Sequence, residues 1–248
     1  MALLIIEYVL FVGFFISGFF LVSKFVHHSV MEIHNEVAGF IYAVVGVIYA
    51  VLLAFVVITA WEEYTDAEKN VNMEVSHIID VYRNANSFPD EIKIEIQATC
   101  INYINDVIDY EFKAMEEFQI SEEAKSSYLN IWEAHQKYKP ENEFEKIWYA
   151  ESVKELNQLA DARRLRINSI YYNISAIMWV VLIFGAFITI GFSYLFGTKN
   201  KIAHILMIFC LSSSICFGLI LIYALEHPFA GYVHLTPESF VRALEQLK

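Results

Sequence analysis

From Glu62 to Asn173 the sequence has no glycine, and its only prolines there are Pro89 and Pro140. A glycine loop able to cradle phosphate is thereby excluded from the longest polar stretch of the chain, and the Glu, Ala, Lys, Ile and Leu that fill it favour helix. Cysteine is scarce as well. Cys100, Cys210 and Cys216 are too few and too scattered for a disulfide framework, and no zinc-type spacing occurs. Basic residues are short: 17 Lys and Arg stand against 29 Asp and Glu, for a net charge of −12. Most of that excess lies in 62–173, which carries 23 acidic and 12 basic residues. Such a surface suits neither nucleic acid nor anionic lipid. Nucleophile–base pairs at telling spacing and paired carboxylates inside an apolar run are also missing, which argues against an enzyme and calls for no cofactor.

What the chain has in plenty is apolar surface. Hydrophobic residues make up 57% of it and the mean hydropathy is +0.43, a composition that belongs in a bilayer. The first apolar run, 1–23, holds Glu7 as its single charge and has neither a basic leader nor a small-x-small cleavage site, so a removable signal peptide is not expected. The second, 37–61, has no charged side chain, and at about 1.5 Å per residue it exceeds the ~30 Å hydrocarbon core. Runs at 174–196 and 202–225 follow, joined by Gly197-Thr198-Lys199-Asn200-Lys201. The fold expected is an all-α membrane protein with four transmembrane helices and a helical extramembrane bundle inserted between helices 2 and 3. Its divisions are 1–61 (helices 1 and 2), 62–173 (the bundle), 174–225 (helices 3 and 4) and 226–248 (a tail).

Within 62–173 four helical segments are legible. The first continues the second span to about Ala85. The next starts at Ser87-Phe88-Pro89-Asp90, which reads as a capping box, and lines up Ile92, Ile96, Tyr103, Val107 and Tyr110 at helical spacing. A third starts near Ser121. The fourth follows Pro140 and carries Leu156, Leu159 and Arg163 toward the membrane. The charged residues of these segments read as a solvated face. In the tail, 226–231 breaks the last span, and Thr236-Pro237-Glu238 starts a short helix.

The second span is the most patterned. Ile41-Tyr42-Ala43-Val44 recurs as Ile48-Tyr49-Ala50-Val51, a step that nearly returns to the same face at about 100° per residue. Gly39, Ala43, Gly46, Ala50 and Ala54 form a stripe of small residues, which lets helix backbones approach closely in lipid. Val44, Ile48, Val51 and Phe55 fill another face, with Glu62 and Glu63 at its end. This sorting reads either as helix packing within one subunit or as a pore wall repeated around a ring. In the second case Val44, Ile48, Val51 and Phe55 form an apolar constriction, and the two carboxylates favour cations.

The polar stretch 24–36 reads as a connection. Its His28 and Glu32 stand one turn apart, but with His27 and His34 they read as solvated residues rather than metal ligands. Ser212, Ser213 and Ser214 are expected to bond neighbouring helices or their own backbone.

The second span with Tyr49, then Trp61-Glu62-Tyr64, Arg163 with Arg166, and Pro228-Phe229-x-Gly231 with Pro237 together resemble the bestrophin-like-domain family of bacterial membrane proteins. One departure is the absence of a proline near Asn173. The resemblance implies a four-span subunit with a large helical insertion and, by analogy with bestrophins, a homo-oligomeric ion channel lined by span two. The partners implied are the lipid bilayer, further copies of the chain and inorganic ions. The alternative is a non-conducting membrane scaffold or sensor whose acidic helical domain binds a partner. Lys24, Lys199 and Lys201 in the short loops oppose Lys69, Arg163, Arg164 and Arg166 across the membrane, so the basic residues do not fix orientation. The resemblance places the large domain in the cytoplasm, beneath a bacterial inner membrane.

Overall fold

The structure, a computed structural model, describes residues 2–25 and 28–247, without the side chains of 2, 3 and 28–33. The side chains of His27, His28 and Glu32 therefore lie outside the described residues. Every regular element among the described residues is helical. The chain divides into two compact units, Met1–Glu62 with Asn173–Glu226 and Glu63–Tyr172 with His227–Lys248.

The first unit contains α1 (Ala2–Phe25), the first part of α2 (His28–Asn84), α7 (Ala176–Ser193) and α8 (Lys201–Glu226). These four are long and apolar enough to cross a membrane. α2 begins at His28, so most of the stretch expected as a connection is already helix. No glycine or proline lies there to stop it. α1 and α8 are tied by Tyr8, whose hydroxyl meets Ser213 Oγ at 2.8 Å and whose ring stacks on Phe217 at 5.1 Å. Ser212 and Ser214 donate to the carbonyls of Phe209 and Cys210 in their own helix. Asn35 brackets the α7–α8 turn, donating to the Gly197 carbonyl at 2.7 Å and accepting its N–H at 2.9 Å.

The approach to α7, where the resemblance calls for a proline and none is found, has its own solution. A residue other than proline leaves a backbone donor to satisfy. Here the buried Glu226 carboxylate accepts the Ile174 N–H at 2.7 Å and the Trp179 indole at 3.2 Å, while Ser175 caps the helix at Met178.

The second unit continues α2 to Asn84 and adds α3 (Asp90–Asp106), a π-helical turn (Val107–Glu111), α4 (Phe112–Glu116), α5 (Glu122–Lys137), α6 (Glu143–Asn168) and α9 (Glu238–Leu247). The caps are local chemistry. Ser121 accepts from Ala124 at the head of α5, and Asn142 accepts from Glu145 at the head of α6. The capping box expected at Ser87 is not formed. Pro89 itself occupies the cap, with no side-chain bond, because its fixed φ already suits helix entry. At the end of α4, Gln119 N–H bonds the Ala114 carbonyl and Phe118 N–H bonds that of Met115, a Schellman ending in which Phe118 takes a φ of 58° usually left to glycine. Ile78, Ile96, Ile104, Ile131, Leu156, Leu159 and Phe240 are fully buried and form the centre of this unit.

Candidate functional site

On α2 the buried residues of the first unit are Tyr49, Val56 and Ala60, with Tyr42 and Leu53 half-buried beside them. The contacts are large-into-small. A Cβ at Gly185 of α7 would lie 2.5 Å from the Tyr49 ring, and one at Gly218 of α8 would lie 2.9 Å from Leu53. The glycines that admit α2 are therefore on its partners, whereas α2 supplies the bulky side chains. Within the chain, the stripe expected to pack is open: Ala43, Ala50 and Ala54 are exposed, and a Cβ at Gly39 or Gly46 would meet nothing within 4 Å. Val44, Ile48, Val51 and Phe55 are exposed as well, at 60%, 57%, 49% and 65%. Glu62 is exposed; Glu63 is half-buried and, in the second unit, shares a cleft of about 530 Å³ with Asp66, Asn70, Leu165, Asn168 and Tyr171.

The second unit contains a buried ion cluster. Arg166, fully buried on α6, donates through Nε to Glu74 Oε2 at 2.6 Å and through Nη2 to Glu74 Oε1 at 3.0 Å. The same Nη2 donates to Glu111, Arg163 donates to the other Glu111 oxygen, and the Tyr103 hydroxyl donates to Glu74. Arg166 lies over the Phe112 and Phe240 rings at 5.7 and 5.9 Å, and Arg163 lies over Tyr128 at 5.3 Å. Two guanidinium groups and two carboxylates cancel, so α2, α3, α6 and α9 meet around a neutral knot, in which the buried Arg163 Nε is left without an acceptor. Burial alone would pull the Arg166 guanidinium down, but Glu74 and Glu111 outweigh it and hold it well above its usual value. Burial first, then Glu74, pushes the Tyr103 hydroxyl up.

The π-helical turn is what aims Glu111 inward. Tyr103, Val107, Glu111 and Met115 are all fully buried at four-residue intervals. In a regular α-helix each such step overshoots a full turn by about 40°, so the last of them would rotate out of the core. The wide turn at Val107–Glu111 absorbs that drift. It also corrects the sequence pattern: Tyr110, assigned to the apolar face, is 51% exposed, and Glu111 takes the interior position. Neither Arg163 nor Arg166 is a solvated flanking charge, which removes both from the basic residues counted for orientation. A signal for Glu74 did exist. It interrupts the stripe Ala67, Val71, Ile78, Val81, all of them buried.

Of the other residues that carry the resemblance, those of the tail support the same region. Phe229 is buried against Phe112, with ring centroids 5.8 Å apart, and Pro228 accepts the Leu235 N–H at 2.7 Å. Gly231 is required by its φ of 89°. Trp61 is exposed.

His135 gives this unit a pH dependence. Its imidazole is buried, meeting the Ile131 carbonyl at 2.8 Å and Ser152 Oγ at 2.9 Å. Burial pushes its pKa below 6.5, opposed by the Ile131 bond. A lowered folded pKa means the unfolded chain binds more protons, so the contribution of His135 is complete above about pH 6.5 and is lost as pH falls below that value and through the lowered folded pKa. Melting temperature should therefore drop between pH 7.5 and 5.5, and by less in His135→Gln.

Helices long and apolar enough to cross a membrane, with a helical unit locked by internal ion pairs, define an all-helical integral membrane protein. The chain belongs to the bestrophin-like family: the family model described as Bestrophin-like domain matches residues 9–240. No curated protein matches it. Among solved structures it is similar to a bacterial bestrophin homologue from Klebsiella pneumoniae, at 12% identity and a TM-score of 0.70 over 98% of this chain and 96% of that one. A single-substitution variant of that homologue gives 11% identity and a TM-score of 0.73 over 98% of both chains. At such identities the likeness concerns the fold.

Proposed function

We propose that copies of this chain assemble about a common axis into an ion channel whose pore is lined by α2. Val44, Ile48, Val51 and Phe55 form its apolar constriction, and Glu62 and Glu63 stand at its mouth. The observation that carries this reading is the one-sided packing of α2: Tyr49, Leu53 and Val56 are engaged by the subunit, while the large apolar face and the alanine stripe stay open. Small side chains leave room for a neighbouring copy's backbone, and a closely packed ring of α2 helices is what a pore requires. Apolar constrictions of this kind gate by dewetting, and carboxylates at the mouth favour monovalent cations. The acidic helical unit faces the cytoplasm, with the spans in a bacterial inner membrane.

A second reading, a non-conducting scaffold or sensor, draws on Phe144 and Ile147, which stand 62% and 67% exposed on α6. Reconstitution separates the two. Purified protein in planar bilayers should pass current, and Glu62→Gln should lower the cation-to-anion permeability ratio several-fold, read as a shift in reversal potential under a KCl gradient. A folded oligomer that stays silent, or a monomer in lipid, overturns the channel reading.

A further inference from the structure

Away from the ion knot, three potential ligands converge on one face of the second unit. His77 and Asp80 are one turn apart on α2 and Glu155 comes from α6, with one ligand atom of each within 4.8 Å of the others. His77 Nδ1 and Glu155 Oε2 are already 2.8 Å apart. All three side chains are half-buried, between the buried Ile78 and Val81 on α2 and Leu156 and Leu159 on α6.

The charge there is not balanced by the protein. The cation in reach is Lys154, whose Nζ lies 3.9 Å from Glu155 Oε1 but only 2.8 Å from Glu151. Asp80 has no hydrogen-bond or ion-pair partner among the described residues. A proton on His77 would answer Glu155 and leave Asp80 unmatched. Glu155 is also held in place: the Gln158 amide, oriented by its hydrogen bonding, donates to both carboxylate oxygens at 3.0 and 3.2 Å. Orientation of a carboxylate by an outer amide is a common support for a bound metal.

We infer that His77, Asp80 and Glu155 form a binding site for a divalent transition cation, with zinc the best match to one imidazole and two carboxylates. Tetrahedral zinc places its ligand atoms roughly 3.3 Å apart. The His77–Glu155 pair needs only a slight opening, and the unpartnered Asp80 carboxylate is free to swing inward. Three protein ligands leave a fourth position for water. The ion clamps the end of α2 to α6, independently of any conduction. Sequence spacing could not reveal it, because His77 and Asp80 lie far along the chain from Glu155.

The test uses the full chain, purified in detergent and stripped with EDTA, titrated with zinc chloride by calorimetry. The expected result is one saturable site per chain and a zinc-dependent rise in melting temperature. Asp80→Asn, which removes a half-exposed carboxylate without partners, should weaken zinc at least tenfold and abolish the rise, as should His77→Gln; His34→Gln should change neither. Absence of saturable zinc binding overturns the assignment. So does binding that Asp80→Asn, folded as judged by its own melt, leaves unchanged.

Discussion

Arg166→Leu should cost the second unit most of its stability. The substitution removes one cation and leaves Glu74 and Glu111 fully buried with only Arg163 to answer both. Breaking a buried pair in this way typically costs about 3–5 kcal/mol, because the remaining charge is stranded. Domains are stable by only about 5–15 kcal/mol, so the variant should be marginal or unfolded. Limited proteolysis within 63–172 and loss of a cooperative melt would report it. Arg166→Lys keeps the charge but cannot reach both Glu74 oxygens and Glu111 together, so it should fall between. Pairing Arg166→Leu with Glu74→Leu should restore part of the loss, because the stranded carboxylate goes with it. A melt for Arg166→Leu equal to that of the wild type would show that the knot contributes nothing.

Gly185→Ala should separate α2 from α7. The added methyl would stand 2.5 Å from the Tyr49 ring, well inside contact distance, and Tyr49 is only 6% exposed. Either the ring leaves its seat or the helices move apart. Overpacking of this kind costs about 1–3 kcal/mol. In lipid the loss falls on van der Waals contact, which is what holds such helices together. The variant should melt earlier in detergent. Combining it with Tyr49→Ala should cost less than the two single changes added, since the smaller side chain makes room for the methyl. Strict additivity would place the clash elsewhere.

Much of the architecture was legible in the sequence, because the signals were local. The apolar runs, the missing glycines, Ser121 at the head of α5 and Thr236-Pro237-Glu238 before α9 each act over a few residues. The knot was not legible, although Arg163 and Arg166 had been singled out by resemblance. Glu74 and Glu111 look like any of the other carboxylates around them, and their burial depends on which helices meet. Glu111 was further concealed by the π-helical turn, since helical spacing points to Tyr110 instead. The small-residue stripe of span two reads as a surface for close approach, but within the chain it stays open. Gly185 and Gly218 do that work from the other side of the contact, and no pattern within α2 records them.

The wide turn also marks where the length of this helix can change. A π-helical turn holds one residue more than the α-helix it interrupts, so losing one codon between Val107 and Glu111 would restore ordinary α-helix and leave Phe112 and Met115 facing as they do now. Substitutions at exposed positions such as Tyr110 keep the register as well. Across descendants of this chain, this turn is therefore the place where a lost residue is absorbed best.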